Sequence, residues 1–288
     1  MRLLFIRHGD PDYEHDCLTE KGRREAEALA EHSESLRMGE IFVSPLGRAQ
    51  ETASYSLKKL GKTGTTREFL QEFITDLNIN GCPELIRAYP DTRRLTPEFA
   101  ERKRHTLSTL LTPERAAEYA PDAEGRLPEY EPRIVWDMVP SYFTEHPELM
   151  GESSWRDSLL TRQGQVGIYY DYVTGALDGL LAEHGYVREG RHYRVERSSE
   201  ETLTFFCHLG AACALLSHLL NASPYLFAQV FAFAPTSVTE VVTEEREKGI
   251  AAFRALRLGD ISHLALAGEE PSFSARFCER FENEDQRH

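Results

Sequence analysis

The residues best suited to chemistry begin with Arg7-His8-Gly9, where a histidine stands beside a permanent cation at the exit of the apolar run Leu3-Leu4-Phe5-Ile6. A glycine in third place lets the backbone come close to a bound anion. Three residues alone say little, and most lone histidines are packed into a core or a turn. Their weight comes from partners further along the chain. Arg48 falls in the first turn of a predicted helix, Glu72 follows a predicted strand, and His208 follows Thr202-Leu203-Thr204-Phe205-Phe206-Cys207. Taken singly, Arg48 reads as a surface arginine and Glu72 as a solvated charge. Brought to one edge, two guanidinium groups, two imidazoles and one carboxyl group form a site suited to a phosphoryl group. Helix N-termini predicted at Ser44-Pro45 and at Gly210 would add backbone N–H donors.

The elements that must gather these residues alternate between strand and helix at both ends of the chain. Residues 2–6 read as a buried strand. Thr19 suits the N-cap of a helix running through Arg23, Glu27 and Glu34, with Ala26, Leu29 and Ala30 inward. After the short strand 41–43, Ser44 as cap and Pro45 at the first position start a second helix, striped by Ala49, Ala53, Leu57 and Leu60 and ended by Gly61. Residues 65–70 predict a third strand. Leu159, Val166, Val173, Leu177, Leu180 and Leu181 suit a long helix ending near Gly185, followed by a hairpin at 186–195, a central strand at 202–207 and a helix at 210–220. Residues 237–243 and 251–256 predict two last strands joined by a charged turn at 244–248.

This order implies an α/β fold, a three-layer α/β/α sandwich around a mainly parallel sheet, with ligands at the carboxyl ends of the strands. We expect one domain over residues 1–288. Between about 76 and 157, nine prolines from Pro83 to Pro147 punctuate short helical pieces. That segment reads as an irregular helical insertion over the active-site edge, with 82–157 as a lid. Trp136, Tyr142, Phe143, Trp155 and Arg156 would either pack the insertion's own core or line a wall for the substrate. Arg87, Arg93 and Arg94 read as a solvated face.

Composition narrows the partner. With 33 Lys+Arg against 47 Asp+Glu, the formal net charge of −14 opposes nucleic acid and anionic membranes. An anion site must therefore be a local basic pocket, and the expected partner is a small phosphorylated molecule. Cys17, Cys82, Cys207, Cys213 and Cys278 are scattered and form no C-x-x-C pair, so neither a disulfide framework nor a zinc site is indicated. A cytoplasmic home follows, because the apolar run before Arg7 is too short for a signal segment and no run approaches a membrane span. His15, His105, His184 and His192 make no ligand set, so no metal and no cofactor is expected. Oligomeric state is left open; Phe273, Phe277 and Phe281 fall at helical spacing and would dock on the chain's own domain.

The motifs, in order, resemble the histidine phosphatase superfamily, the phosphoglycerate-mutase-like fold. They are Ile6-Arg7-His8-Gly9, the Leu-Thr-x-x-Gly of 18–22, Ser44-Pro45-Leu46-Gly47-Arg48-Ala49-Gln50-Glu51-Thr52-Ala53, Leu70-Gln71-Glu72-Phe73 and Cys207-His208-Leu209-Gly210, with 258–264 resembling the family's C-terminal strand exit. The resemblance implies that His8 attacks phosphorus and that Arg7, Arg48 and His208 hold the phosphoryl oxygens. Glu72 would act as acid and then base, and Gly9 and Leu209 would lie against the phosphate. Leu209 stands where many members carry glycine. Asp10-Pro11-Asp12 replaces the residues that sugar-phosphate mutases of the family carry, which favours hydrolysis of a phosphomonoester over a phosphoglycerate-type mutase. A phospho-ligand binding protein without turnover is the third reading, and Glu72 argues against it.

Overall fold

In the computed structural model, which describes residues 1–73, 76–109, 113–274 and 280–283, Leu3, Leu4, Phe5 and Ile6 are all buried in strand β1 (Arg2–Arg7). Four consecutive buried apolar residues belong to a strand inside a sheet covered on both faces. Residues 1–73 and 171–288 make one compact unit and residues 74–170 a second. The first unit runs from β1 through α1 (Glu20–His32), β2 (Glu40–Val43), α2 (Gly47–Leu60) and β3 (Thr65–Thr66). The chain returns to it in α3 (Val166–Glu183), then β4 (Tyr186–Glu189), β5 (His192–Val195), β6 (Thr202–Cys207), α4 (Leu209–Leu219), α5 (Pro224–Val230), β7 (Val238–Glu247), β8 (Ile250–Asp260) and α6 (Ser262–Ala267).

The eight strands lie in the order β3-β2-β6-β1-β7-β8-β5-β4. β3, β2, β6 and β1 are parallel, and the ladders from β1 through β7, β8, β5 and β4 are antiparallel. The fold is therefore α/β around a mixed, mostly parallel sheet, with only β7 and β5 reversed. On one face, Leu4, Ile6, Ile41, Val43, Phe206 and Val238 pack with Leu29 of α1 and Ala53 of α2. On the other, Phe5, Phe205 and Phe42 stack at centroid distances of 5.0 and 5.5 Å. Side chains of successive strand residues alternate between these two cores.

The parallel half carries the exits that matter. β1 ends at Arg7 beside Cys207, the last residue of β6. His8 and His208 therefore leave the sheet side by side.

Several boundaries differ from the sequence reading. α2 begins at Gly47, with Leu46 as its cap residue, and not at Pro45. Only Thr65–Thr66 of the expected strand 65–70 pairs with the sheet; Glu68–Leu70 is a 3₁₀ turn. The long helix is broken at Gln165, whose φ of 53° ends the short helix Leu159–Gly164 before α3 starts. Residues 244–247 belong to β7, so the turn to β8 is confined to Lys248-Gly249. The sequence reading missed α5, which Ser223 caps by accepting from Tyr225 N–H. Phe277 and Cys278 lie outside the described residues.

The second unit shows what its prolines do. The helices Pro83–Ala88, Pro97–Thr109, Pro140–Glu145 and Pro147–Met150 each start on one, where the missing N–H costs nothing. Trp136, Tyr142, Phe143 and Trp155 are buried in this unit. The Arg156 guanidinium lies over the Trp155 and Tyr170 rings, 4.7 and 5.3 Å from their centroids. Trp155 also meets Tyr170 edge-on, 4.9 Å between centroids, and Tyr142 stacks on His146 at 4.0 Å. Arg87, Arg93 and Arg94 are exposed, and Arg94 pairs with Glu129 at 2.8 Å. Among the described residues no helix is long and apolar enough to cross a membrane.

Candidate active site

His8 is fixed by the backbone around it. Its N–H donates to the Cys207 carbonyl at 3.1 Å, and its ring Nδ1 lies 2.7 Å from the Gly9 carbonyl. A carbonyl can only accept, so Nδ1 carries the proton and Nε2 keeps its lone pair. Arg48 Nε donates to that Nε2 at 3.4 Å. His208 caps α4 and lies with its ring centroid 5.0 Å from that of His8. Its Nε2 meets Ser44 Oγ at 2.7 Å. Ser44 Oγ also accepts from Leu46 N–H; with the Ser44 hydroxyl donating to Nε2, the imidazole proton is assigned to Nδ1.

Glu72 comes from the turn after the 3₁₀ segment and reaches the start of α4. Its Oε1 accepts from Phe73 N–H at 2.9 Å and from Gly210 N–H at 3.0 Å. A Cβ on residue 210 would stand 2.8 Å from that oxygen, so glycine is what lets the carboxyl group dock. One potential ligand atom each of His8, Glu72 and His208 lies within 4.8 Å of the others. Arg7 and Arg48 complete the group; they are 3% and 8% exposed.

Burial and the two guanidinium groups set the protonation states. Both histidines are held well below the usual imidazole range, first by burial and then by the neighbouring charges; Arg7 and Arg48 act on each, and His8 acts on His208. Glu72 moves the other way, because loss of hydration outweighs the pull of Arg48, Arg7 and two backbone N–H bonds. At neutral pH the site thus offers two neutral imidazoles beside two fixed cations. Two imidazoles and a carboxyl group could in principle hold a metal, but the positive field that lowers both histidines repels a cation and attracts an anion.

Two nitrogen atoms here lack what burial demands. Among the described residues, Arg7 Nε and His208 Nδ1 are buried with no hydrogen-bond partner. A buried donor left unpaired costs about 1–3 kcal/mol, and at this site an anion would satisfy both.

The structure brings Arg7, His8, Arg48, Glu72 and His208 together, as the sequence reading expected, but it gives three other details different tasks. Gly9 N–H is taken by Thr52 Oγ1 at 3.0 Å, and a Cβ on Gly9 would stand 2.7 Å from the Gly22 carbonyl oxygen. Its lack of a side chain serves the packing of residue 9 on residue 22. Gly210 N–H faces Glu72, and the α2 terminus is closed by Asp16, whose Oδ2 accepts from Gly47 N–H at 2.6 Å. Leu209, the first residue of α4, retains an N–H of the kind that no intrahelical carbonyl can accept.

Other partners were missed. Ser44, read as a helix cap, orients His208. Asp16 holds Arg48 NH1 at 2.5 Å. Arg7 NH1 donates to the carbonyls of Phe233 at 2.7 Å and Ser274 at 3.0 Å, so the segment after α6 reaches the exit of β1. That segment is pinned through Glu25, fully buried, which accepts from Asp10 N–H at 2.8 Å and Ser272 N–H at 3.0 Å. A carboxyl residue on the inward face of an otherwise Ala/Leu-lined helix was the one sequence signal that pointed to this contact.

Two histidines and two arginines thus gather where β1 and β6 end and α2 begins, in an α/β fold. Residues 3–110 match the family model of the histidine phosphatase superfamily (branch 1), which confirms over that stretch the resemblance read from the motifs. Similar solved structures include mycobacterial glucosyl-3-phosphoglycerate phosphatase, 15% identical with a TM-score of 0.48, the match covering 90% of this chain and 98% of that one. Another is phosphoserine phosphatase from Entamoeba histolytica in complex with 3-phosphoglyceric acid, 15% identical with a TM-score of 0.48, covering 91% and 98%. No curated protein matches the chain by sequence.

Proposed function

We propose that this chain hydrolyses phosphomonoesters through a phosphohistidine on His8, without a metal ion. The observation that supports this most is the pair of buried, unpartnered nitrogens, Arg7 Nε and His208 Nδ1, beside a neutral imidazole whose Nε2 carries a lone pair and is held only by a long bond from Arg48 Nε. His8 Nε2 forms a bond to phosphorus as the bond to the alcohol oxygen breaks, and Glu72 gives its proton to that leaving oxygen. Water then attacks phosphorus, Glu72 takes its proton back, and the P–N electron pair returns to His8. Arg7, Arg48 and His208 hold the equatorial oxygens, whose charge must be stabilised throughout. Glu72 suits the acid role because burial favours its protonated form before the phosphate arrives.

The test is a phosphate-release screen over a panel of small phosphorylated metabolites and an aryl phosphate, in the presence of a chelator. The expected outcome is turnover of at least one compound, lost in His8→Ala. Turnover undiminished in His8→Ala would overturn the assignment. Transfer to a second hydroxyl instead of to water would make the enzyme a mutase.

A further inference from the structure

The acidic loop that follows Gly9 contains one carboxylate whose partner is a phosphate-holding group. Asp10 is occupied by Thr19 and Ser272, and Asp12 by His15. Asp16, in contrast, sets one oxygen on Arg48 NH1 at 2.5 Å and the other on Gly47 N–H at 2.6 Å. Its φ of 49° is in the left-handed region, and a Cβ on Gly47 would stand 2.2 Å from the Asp16 carbonyl oxygen, so this contact is built into the backbone. The Asp16 side chain is nevertheless 42% exposed, whereas that of Arg48 is 9% exposed. Tyr13, 62% exposed, lays its ring 5.3 Å from the Arg48 guanidinium carbon.

We propose that Asp16 is a specificity-determining residue, selecting phosphomonoesters whose alcohol is neutral or carries an ammonium group over those whose alcohol carries a second anion. The inference rests on the proposed phosphatase reading. Its basis is the charge balance of the loaded site. Two neutral imidazoles add nothing, Glu72 brings the proton that the proposed reaction passes to the leaving oxygen, and the guanidinium groups of Arg7 and Arg48 together balance a phosphate dianion. The Asp16 charge is then unmatched at the exposed rim of the same Arg48. An ammonium on the alcohol supplies the missing countercharge. A second carboxylate or phosphate on the alcohol meets Asp16 as a like charge.

The experiment compares O-phosphoethanolamine with phosphoglycolate, two compounds of similar length and opposite end charge. Their kcat/KM values are measured on wild type, Asp16→Asn and Asp16→Glu, and their Kd values on the His8→Ala form of each. Asp16→Asn is expected to shift the ratio of the two substrates about ten-fold toward phosphoglycolate, through KM and Kd more than kcat, with Asp16→Glu keeping the wild-type preference. A ratio that does not move, with both substrates weakened or strengthened alike, overturns the proposal and leaves Asp16 as a brace for Arg48. If no compound is turned over while the Kd ratio shifts as expected, the selectivity stands and the phosphatase reading fails.

Discussion

Two helices of the site begin alike and serve it differently. α2 and α4 each start on a β-strand exit, each has a glycine in its first turn, and each offers that glycine's N–H to a carboxyl group of the chain. At α2 the group is the half-exposed Asp16, bound also to Arg48. At α4 it is Glu72, partly buried and with its proton favoured. A helix N-terminus attracts a carboxylate in both cases, but the surroundings decide whether that group remains an anion or becomes an acid.

The largest effect should come from removing the proton while keeping the shape. Glu72→Gln retains an oxygen that can accept from Gly210 and is expected to lower kcat/KM, which reports the phosphorylation step, by about 10²–10³ on alkyl phosphates. The loss should be much smaller on an aryl phosphate, whose leaving group needs no proton. Equal losses on both would mean that Glu72 positions the phosphate and does not act as an acid.

The two glycines sharpen the contrast. In Gly210→Ala the new methyl meets the end of a side chain, so kcat is expected to fall about ten-fold with the fold intact. In Gly47→Ala it meets backbone, the Asp16 carbonyl oxygen, so the cost should appear as about 1–3 kcal/mol of stability. Denaturant titration and steady-state kinetics on both variants would separate them; the same pattern for both would break the comparison.

Protonation gives a third handle. His8 and His208 stay neutral in the folded chain, whereas in the unfolded chain they take up protons below about pH 6.5. Folding stability from them is therefore complete above that value and lost as pH falls, at about 1.4 kcal/mol per pH unit for each. Glu72 acts oppositely: its raised value favours folding below about pH 4.5 and loses that contribution as pH rises through the folded value. Unfolding at pH 7.5 and 5.5 should show a clear acid loss in wild type and a smaller one in His208→Gln.

The smallest effect belongs to the clasp behind the site. Glu25→Gln leaves one of the Asp10 and Ser272 N–H groups facing an amide nitrogen, and is expected to cost about 1–2 kcal/mol and to raise KM by loosening Ser274 against Arg7. Unchanged stability and KM would remove the segment after α6 from the account.

The sequence made the frame readable because its strongest signals are local. β1 holds the apolar run Leu3–Ile6 and β6 ends in Phe205-Phe206-Cys207, and their exits carry Arg7-His8 and His208. Thr19 caps α1 as its position implies, accepting from Gly22 N–H. Ser44 misled for a physical reason: Ser-Pro has the composition of a helix start, but the hydroxyl is claimed by His208, 164 residues away. The bonds from Arg7 to Ser274 and from Arg48 to Asp16 likewise depend on where distant turns bring their backbones, which no spacing rule contains. Gly9 shows the same limit, since its close neighbour is another stretch of the chain.

The central claim is that His8 carries the phosphoryl group. Mixing enzyme with substrate labelled in its phosphoryl group, quenching in base within milliseconds and mapping the label by peptide mass tests this directly. The account predicts a base-stable, acid-labile label on His8 that is absent from His8→Ala and accumulates in Glu72→Gln with an aryl phosphate. Steady turnover with no label on His8 at any time point would contradict it.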